Sequence, residues 1–226
     1  MDSIYSRTKL VLGDENIEKI KNSAVCICGI GGVGSYVLEA LARTGVGNIL
    51  IIDKDTVDIT NINRQLIALN STINKNKVDV AVKRVNDINS EIKINGIKEN
   101  ISFENINELL NNKFDYVIDC VDNIEAKTAI IKYCYDNKIK CISSMGMGNK
   151  VRPLDIKVAD IYKTEMDPLS KIMRKKLKEL GIKKQKVVYS VEKPIKNNEG
   201  IIGSVPFVPS VCGLVIASEV INEIIK

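Results

Sequence analysis

The chain has 226 residues, 45% of them hydrophobic, so it can bury the core of one large α/β domain. It contains no histidine, which excludes an imidazole base, nucleophile or metal ligand. The net charge is +5, and no apolar stretch reaches the ~20 residues of a membrane span or resembles a secretory leader.

Short apolar strands alternate with helical segments through the first 150 residues. The predicted order is strand 24–28, helix 33–44, strand 49–52, helix 74–89, strand 92–98, helix 104–111, strand 115–121, helix 124–137 and strand 139–143. This alternation predicts an α/β fold built on a doubly wound, Rossmann-like and mostly parallel sheet.

The pattern changes after residue 150. We expect a strand at 154–161, a helix that begins at Pro168 behind an Asp167 cap and is closed by Gly181, a mobile loop at 193–205, and a final helix at 211–225. The sheet should therefore end in an antiparallel C-terminal extension. Because no linker interrupts the chain, residues 1–226 are predicted to form one domain, with a nucleotide-binding core at 20–150 and a substrate-facing part at 151–226.

A glycine motif follows the first strand directly. Gly29, Gly31 and Gly34 match G-x-G-x-x-G and open a helix, so the backbone can approach a phosphate at the helix N-terminus. Asp53 ends the next strand, 19 residues after Gly34, where an acid binds ribose in dinucleotide folds. Strand, glycine loop, helix and acid together predict a nucleotide site.

Three charged residues indicate which chemistry the nucleotide undergoes. Arg64 and Lys77 would be cations near the phosphates, and Asp122, after the fourth predicted strand, would be an oxygen ligand for Mg²⁺. Phosphate chemistry needs such groups to spread the charge as pyrophosphate leaves, whereas hydride transfer to NAD does not. Each residue alone could be an ordinary surface charge, but three at consecutive sheet edges favour ATP and Mg²⁺ over NAD.

Longer blocks of sequence resemble known families. GIGGVGS at 29–35, IIDKDTVDITNINRQ at 51–65, NKVD at 76–79 and DCVDN at 119–123 resemble the adenylating domain of the ubiquitin-activating superfamily. ALARTGVG at 40–47, SSMGMGNK at 143–150, ADIYKTEMDPL at 159–169 and SVPFVPSVCGL at 204–214 resemble, more narrowly, the tRNA threonylcarbamoyladenosine dehydratase family. The likeness runs from about residue 5 to the end of the chain.

The resemblance implies roles for individual residues. The nucleotide would be bound by Gly29, Gly31, Gly32, Gly34, Asp53, Asp55, Asn61, Gln65 and Asn123, with Arg64 and Lys77 at the phosphates and Asp122 on the metal. Arg7 matches an arginine that, in relatives, reaches the ATP of the neighbouring subunit, so a homodimer is expected. The resemblance also allows a sulfur-relay protein as a partner.

A strongly basic segment lies between residues 171 and 186. It holds eight lysines or arginines and one acid, which indicates a polyanionic partner, although a solvated helix face would look the same. With the resemblance, the partner would be tRNA, contacted by side chains on the helix face opposite its apolar stripe: Lys171, Arg174, Lys175 and Lys178. The apolar stripe is predicted to contain Leu169, Ile172, Met173, Leu177 and Leu180.

The favoured function is ATP-dependent dehydration, by cyclisation, of N6-threonylcarbamoyladenosine in tRNA. The alternatives are adenylation of the C-terminal glycine of a ubiquitin-like sulfur carrier, and a nucleotide-sensing paralogue without turnover. The six cysteines stand singly and form no C-x-x-C pair, so we expect no zinc, a reduced cytoplasmic protein and no obligatory thioester. Cys212, in an apolar setting, is expected to be a core thiol.

Overall fold

A computed structural model describes residues 3–196 and 200–226. Seven strands and eight α-helices follow one another along the described chain: α1 (Ser6–Leu12), α2 (Asp14–Asn22), β1 (Ala24–Cys28), α3 (Gly34–Thr44), β2 (Asn48–Ile52), α4 (Lys77–Ile88), β3 (Lys93–Ile97), α5 (Ile106–Leu109), β4 (Tyr116–Asp119), α6 (Ile124–Asp136), β5 (Cys141–Ser144), β6 (Ile156–Asp160), α7 (Pro168–Glu179), β7 (Lys186–Ser190) and α8 (Phe207–Ile224).

The strands form one sheet in the order β3-β2-β1-β4-β5-β7-β6. Every neighbouring pair is parallel except β6 and β7, which run antiparallel at the sheet edge. The doubly wound, mostly parallel sheet and its antiparallel C-terminal extension are therefore confirmed.

Both faces of the sheet are covered, and β1 shows how. Val25 and Ile27 point into a core shared with α3, α4 and α8, whereas Cys26 and Cys28 point into a core shared with α5 and α6. Since alternate side chains of a strand face opposite sides, a continuous apolar run is what a strand covered on both faces requires. A third cluster packs α7 against α6 and β7.

Several elements differ from the sequence expectation. Strand β7 was not predicted, because its short apolar run follows a basic stretch, and neither were α1 and α2. Helix α8 begins at Phe207 instead of residue 211. Pro209 lies within its first turn, where the missing N–H of a proline costs no hydrogen bond, so this proline does not delay the helix.

Helix α8 bears on the expectation of no membrane span. By length and composition alone its 18 residues could cross a membrane, and it is the one helix of the described residues that could. Val208, Cys212, Ile216 and Val220 of this helix are fully buried in the core against the sheet. This packing accounts for its apolar composition.

Candidate nucleotide site at the carboxyl edge of the sheet

The glycine loop is packed too closely for larger residues. A methyl group on Gly34 would lie 1.8 Å from the Gly29 carbonyl oxygen, and one on Gly29 would lie 3.0 Å from the Cys120 backbone after β4. Gly31 differs, because a methyl group there would meet only Gln65 Nε2, at 3.9 Å. Gly34 therefore permits the fold of the loop, whereas Gly31 leaves open space above it for a ligand.

Asp53 and Lys77 meet beside this loop. Asp53 Oδ2 accepts the backbone N–H of Ile30 at 2.7 Å, which holds the carboxylate against the loop. Lys77 begins α4, and its buried Nζ lies 2.8 Å from Asp55 Oδ2 and 4.0 Å from Asp53 Oδ1. Lys77 is thus brought to two carboxylates that directly follow β2, beside the glycine loop that follows β1.

The segment after β2 brings a second cation to the loop. Arg64 Cγ would be 3.4 Å from a methyl group on Gly32, while its Nη1 donates to the Thr60 carbonyl at 2.9 Å. Asn61 closes a turn by accepting the N–H of Asp58 on its side-chain oxygen, at 3.1 Å. Arg64 therefore borders the glycine loop, whereas the side-chain oxygen of Asn61 is engaged within its own turn.

Gln65 supplies an observation that suits a bound nucleotide. Its side chain is buried beside Gly31, and Oε1 is the one buried side-chain oxygen or nitrogen in the described chain without a hydrogen-bond partner. A buried amide oxygen without a partner costs about 1–3 kcal/mol, which a hydrogen-bond donor of ATP, a ribose hydroxyl or the adenine amino group, would relieve. The positive charge that a polyphosphate requires comes from Lys77 and Arg64.

Asp122 and Asn123 follow β4 at the same edge. Asn123 caps α6, because its Oδ1 accepts the backbone N–H groups of Glu125 and Ala126 at 2.9 and 3.0 Å. Asp122 is exposed and makes no hydrogen bond or ion pair within the described residues. Among all the described residues, no group of three or more acidic or cysteine side chains could hold a metal ion. A Mg²⁺ ion at this position would be bound by Asp122 together with phosphate and water oxygens.

Two buried ion pairs behind this edge were missed by sequence reasoning. Lys127 Nζ lies 2.7 Å from Asp119 Oδ2 and donates to the Ser144 carbonyl at 2.9 Å, and both charged side chains are fully buried. Burial raises the pKa of Asp119, and the Lys127 ammonium partly opposes that shift. A lysine on the buried face of α6, beside Ala126 and Thr128, was the available signal.

The second pair joins Lys150 to Asp167. The two buried side chains lie 3.1 Å apart, and Lys150 Nζ also donates to the Gly146 carbonyl at 2.7 Å. Asp167 caps α7 by accepting the Ser170 N–H at 2.8 Å, as predicted. The start of α7 is thereby fastened to the loop after β5.

The outer face of α7 differs in part from the expectation. Lys171, Lys175 and Lys178 are exposed, but Arg174 is half-buried, and its Nη1 donates to the Thr164 carbonyl at 2.8 Å and to the Thr164 hydroxyl. The prediction that Arg174 projects with the three lysines is wrong, because it lies beside the buried Ser170 and Leu177 on the helix. The apolar stripe is also narrower than expected, since Ile172 and Leu180 are exposed.

Neither cysteine nearest the site has an exposed thiol. Cys212 lies in the core as expected, and Cys120 packs behind the glycine loop. Burial raises the pKa of both thiols, so both stay protonated at neutral pH. The loop prediction for 193–205 falls partly on residues 197–199, which lie outside the described residues.

Arg7 stands apart from the other predicted site residues. It lies on α1 and borders a groove with Ala40 and Thr44 of α3 and with Leu214 of α8. Ala40 and Thr44 lie six and ten residues along α3 from Gly34, so roughly 9–15 Å of helix separate this groove from the glycine loop of the same chain.

We predict that the two glycine positions separate binding from folding. Gly31→Ala should fold normally but bind Mg·ATP at least about tenfold more weakly, because its methyl group occupies the phosphate space. Gly34→Ala should lower stability by about 1–3 kcal/mol or more, because its methyl group overlaps the backbone. Thermal unfolding and calorimetry would check both. Wild-type affinity in Gly31→Ala, or tighter binding of NAD than of Mg·ATP to the wild type, would contradict the assignment.

Comparison with known proteins agrees with this geometry. Residues 5–226 match the model of the ThiF family. The tRNA threonylcarbamoyladenosine dehydratase of Bacillus subtilis is 42% identical over 98% of this chain and 94% of its own length. The Escherichia coli enzyme of that name, TcdA, solved with ATP, is 32% identical, with a TM-score of 0.93 over 97% of this chain and 93% of that one; its AMP complex gives a TM-score of 0.92 over 96% and 92%. The chain belongs to the ThiF family.

Proposed function

We propose that this protein uses ATP to dehydrate N6-threonylcarbamoyladenosine in tRNA to its cyclic form. The observation that carries the proposal is the convergence of Lys77, Arg64 and a free Asp122 carboxylate around an open glycine loop. Its likeness to the two bacterial dehydratases extends over nearly the whole chain, including the part after residue 150.

The proposed reaction activates a carboxylate that the substrate itself carries. The threonyl carboxylate attacks the α-phosphorus of ATP, and pyrophosphate leaves. An atom of the neighbouring carbamoyl group then attacks the activated carbonyl carbon, the ring closes, and AMP departs with the carboxylate oxygen. One water is lost from the nucleoside, and one ATP becomes AMP and pyrophosphate.

Each side chain has a defined task in this scheme. Lys77 and Arg64 stabilise negative charge on the phosphates as pyrophosphate leaves, and Asp53 anchors the ribose. Bound Mg²⁺, held by Asp122, would supply further neutralisation of phosphate charge. Lys77 is already paired with Asp55 without ligand, so phosphate binding would share this ammonium between the two.

The scheme requires neither an imidazole nor a thiolate. The substrate brings its own nucleophile, so the enzyme contributes positioning and charge stabilisation. Half-buried Cys120 and buried Cys212, both protonated, agree with a route that has no obligatory thioester. We place the reaction in the cytoplasm, where tRNA is found and the six free thiols stay reduced.

We predict that Asp122→Ala abolishes AMP formation while the fold survives, because Asp122 is exposed and makes no described contact. Glu125→Ala, an exposed carboxylate in the first turn of α6, is the matched control and should keep wild-type activity. Turnover of ATP to AMP with modified tRNA is the measurement. Near-normal AMP release by folded Asp122→Ala would remove Asp122 from the site.

We propose that tRNA binds the exposed lysines of α7, named above. Replacing Lys171, Lys175 and Lys178 with alanine should lower the log–log salt slope of tRNA binding by about two units. The apparent Michaelis constant for tRNA should rise while ATP affinity stays unchanged, since these contacts provide uniform binding.

The matched control for α7 uses exposed lysines on elements that α7 does not pack against. Alanine at Lys83 of α4, Lys93 of β3 and Lys113 before β4 removes the same charge and should leave the slope nearly unchanged. If the two triple variants weaken tRNA binding equally, the α7 lysines contribute only nonspecific charge attraction and no specific contact. An unchanged slope in the α7 variant would remove this helix as the tRNA contact and would favour adenylation of a carrier protein.

We propose that the active protein is a homodimer in which Arg7 completes the partner's phosphate site. Its distance from the glycine loop of its own chain supports this arrangement. Arg7→Ala and Asp122→Ala should each be nearly inactive. Co-expressed, they should recover about one quarter of wild-type activity, because half the dimers are mixed and each has one intact site.

Complementation between Arg7→Ala and Asp122→Ala distinguishes action on the partner from action within one chain. If Arg7 serves its own chain, no mixed site is intact and co-expression restores nothing. Light scattering on the same samples reports whether dimers form. A monomer with full activity would contradict the dimer. A sulfur-relay partner stays a prediction.

A further inference from the structure

The SVPFVPSVCGL block has a feature that adenylation does not explain. Phe207, the first residue of α8, is 46% exposed, although it is a large apolar side chain. Adenylation chemistry uses phosphate-binding groups and gives no task to an exposed phenyl ring. Adenylation alone therefore does not explain why Phe207 is exposed at this position.

The first turn of α8 lies directly against the nucleotide site. Pro209 Cβ would be 3.3 Å from a methyl group on Gly32, on the side where Arg64 also approaches. Just before the helix, the Ser204 carbonyl accepts a hydrogen bond from Asn63 Nδ2 at 3.0 Å, and Asn63 is the neighbour of Arg64. Phe207 lies between these two contacts, within one helical turn of the glycine loop.

The other exposed aromatic side chains of the described chain lie elsewhere. Phe103 stands between β3 and α5, and Tyr135 is in the last turn of α6, at the opposite edge of the sheet. Tyr162 is near α7, and its hydroxyl is bonded to the Ile182 carbonyl. Phe207 is the exposed ring that borders the glycine loop.

The proposed substrate constrains where its base can lie. The reacting carboxylate is joined to N6 of adenine through the carbamoyl group and one carbon, a path of four bonds that spans no more than roughly 6 Å. When the carboxylate meets the α-phosphate above the glycine loop, the purine must therefore lie at the rim of that loop. Proteins hold unstacked RNA bases by stacking them on aromatic side chains.

We propose that Phe207 stacks on the adenine ring of the modified nucleoside and so positions its carboxylate at ATP. The inference rests on the proposed function and deepens it by assigning a substrate-binding residue. It also accounts for an apolar ring that stays exposed when tRNA is absent.

The test compares four side chains at this position. Phe207→Ala should lower kcat/KM for tRNA roughly five- to hundredfold, the range for loss of one base–aromatic stack. Phe207→Trp and Phe207→Tyr should retain activity within a few-fold, whereas Phe207→Leu should resemble alanine because it is apolar but has no π-face. The affinity for Mg·ATP should be the same in all variants.

Tyr135→Ala, which removes an equally exposed ring at the opposite edge of the sheet, is the matched control and should have no effect. If the wild type does not convert the tRNA nucleoside, the proposed function fails. If the wild type converts it and Phe207→Ala or Phe207→Leu equals it, the stacking role is refuted. Loss of the dimer by light scattering in Phe207→Ala would place the ring in a subunit interface and would also overturn the inference.

Discussion

The close packing of the glycine loop is the constraint on which the candidate site depends. Because Gly34 has no side chain, α3 can begin against the Gly29 carbonyl, and the loop can lie directly on the end of β4. The first turn of α8 approaches the same loop at Gly32. This contact region therefore determines where phosphates would lie in the candidate site and where the nucleoside would enter it.

Polar contacts hold the remaining elements to this edge. The Asp119–Lys127 pair joins β4 and α6 to the last residue of β5, and the Lys150–Asp167 pair joins the loop after β5 to the start of α7. Buried ion pairs lose much of their attraction to desolvation. We infer that these two define geometry more than they add stability, and that they hold the basic helix in a fixed relation to the phosphate site.

Local patterns predicted the sheet core well, because β1, β2 and β4 are apolar runs bounded by glycine or aspartate and the glycine spacing is read directly. They failed where tertiary contacts determine the structure of a segment or the position of a side chain. The short run of β7 becomes a strand only between β5 and β6. By sequence Arg174 belongs to a basic helix face, but it is half-buried and its guanidinium donates a hydrogen bond to the Thr164 carbonyl. The buried position of Lys127 could be inferred from its helix, but the partner in neither buried ion pair could, because the partners lie on different elements.

In the proposed reaction, ATP adenylates the carboxylate of a modified nucleoside in tRNA. The most direct measurement incubates the purified protein with Mg·ATP and tRNA bearing N6-threonylcarbamoyladenosine, then quantifies AMP, pyrophosphate and the digested nucleosides by mass spectrometry. The account predicts that AMP, pyrophosphate and a nucleoside lacking one water appear in equal amounts. An unchanged nucleoside, with or without AMP release, would contradict it.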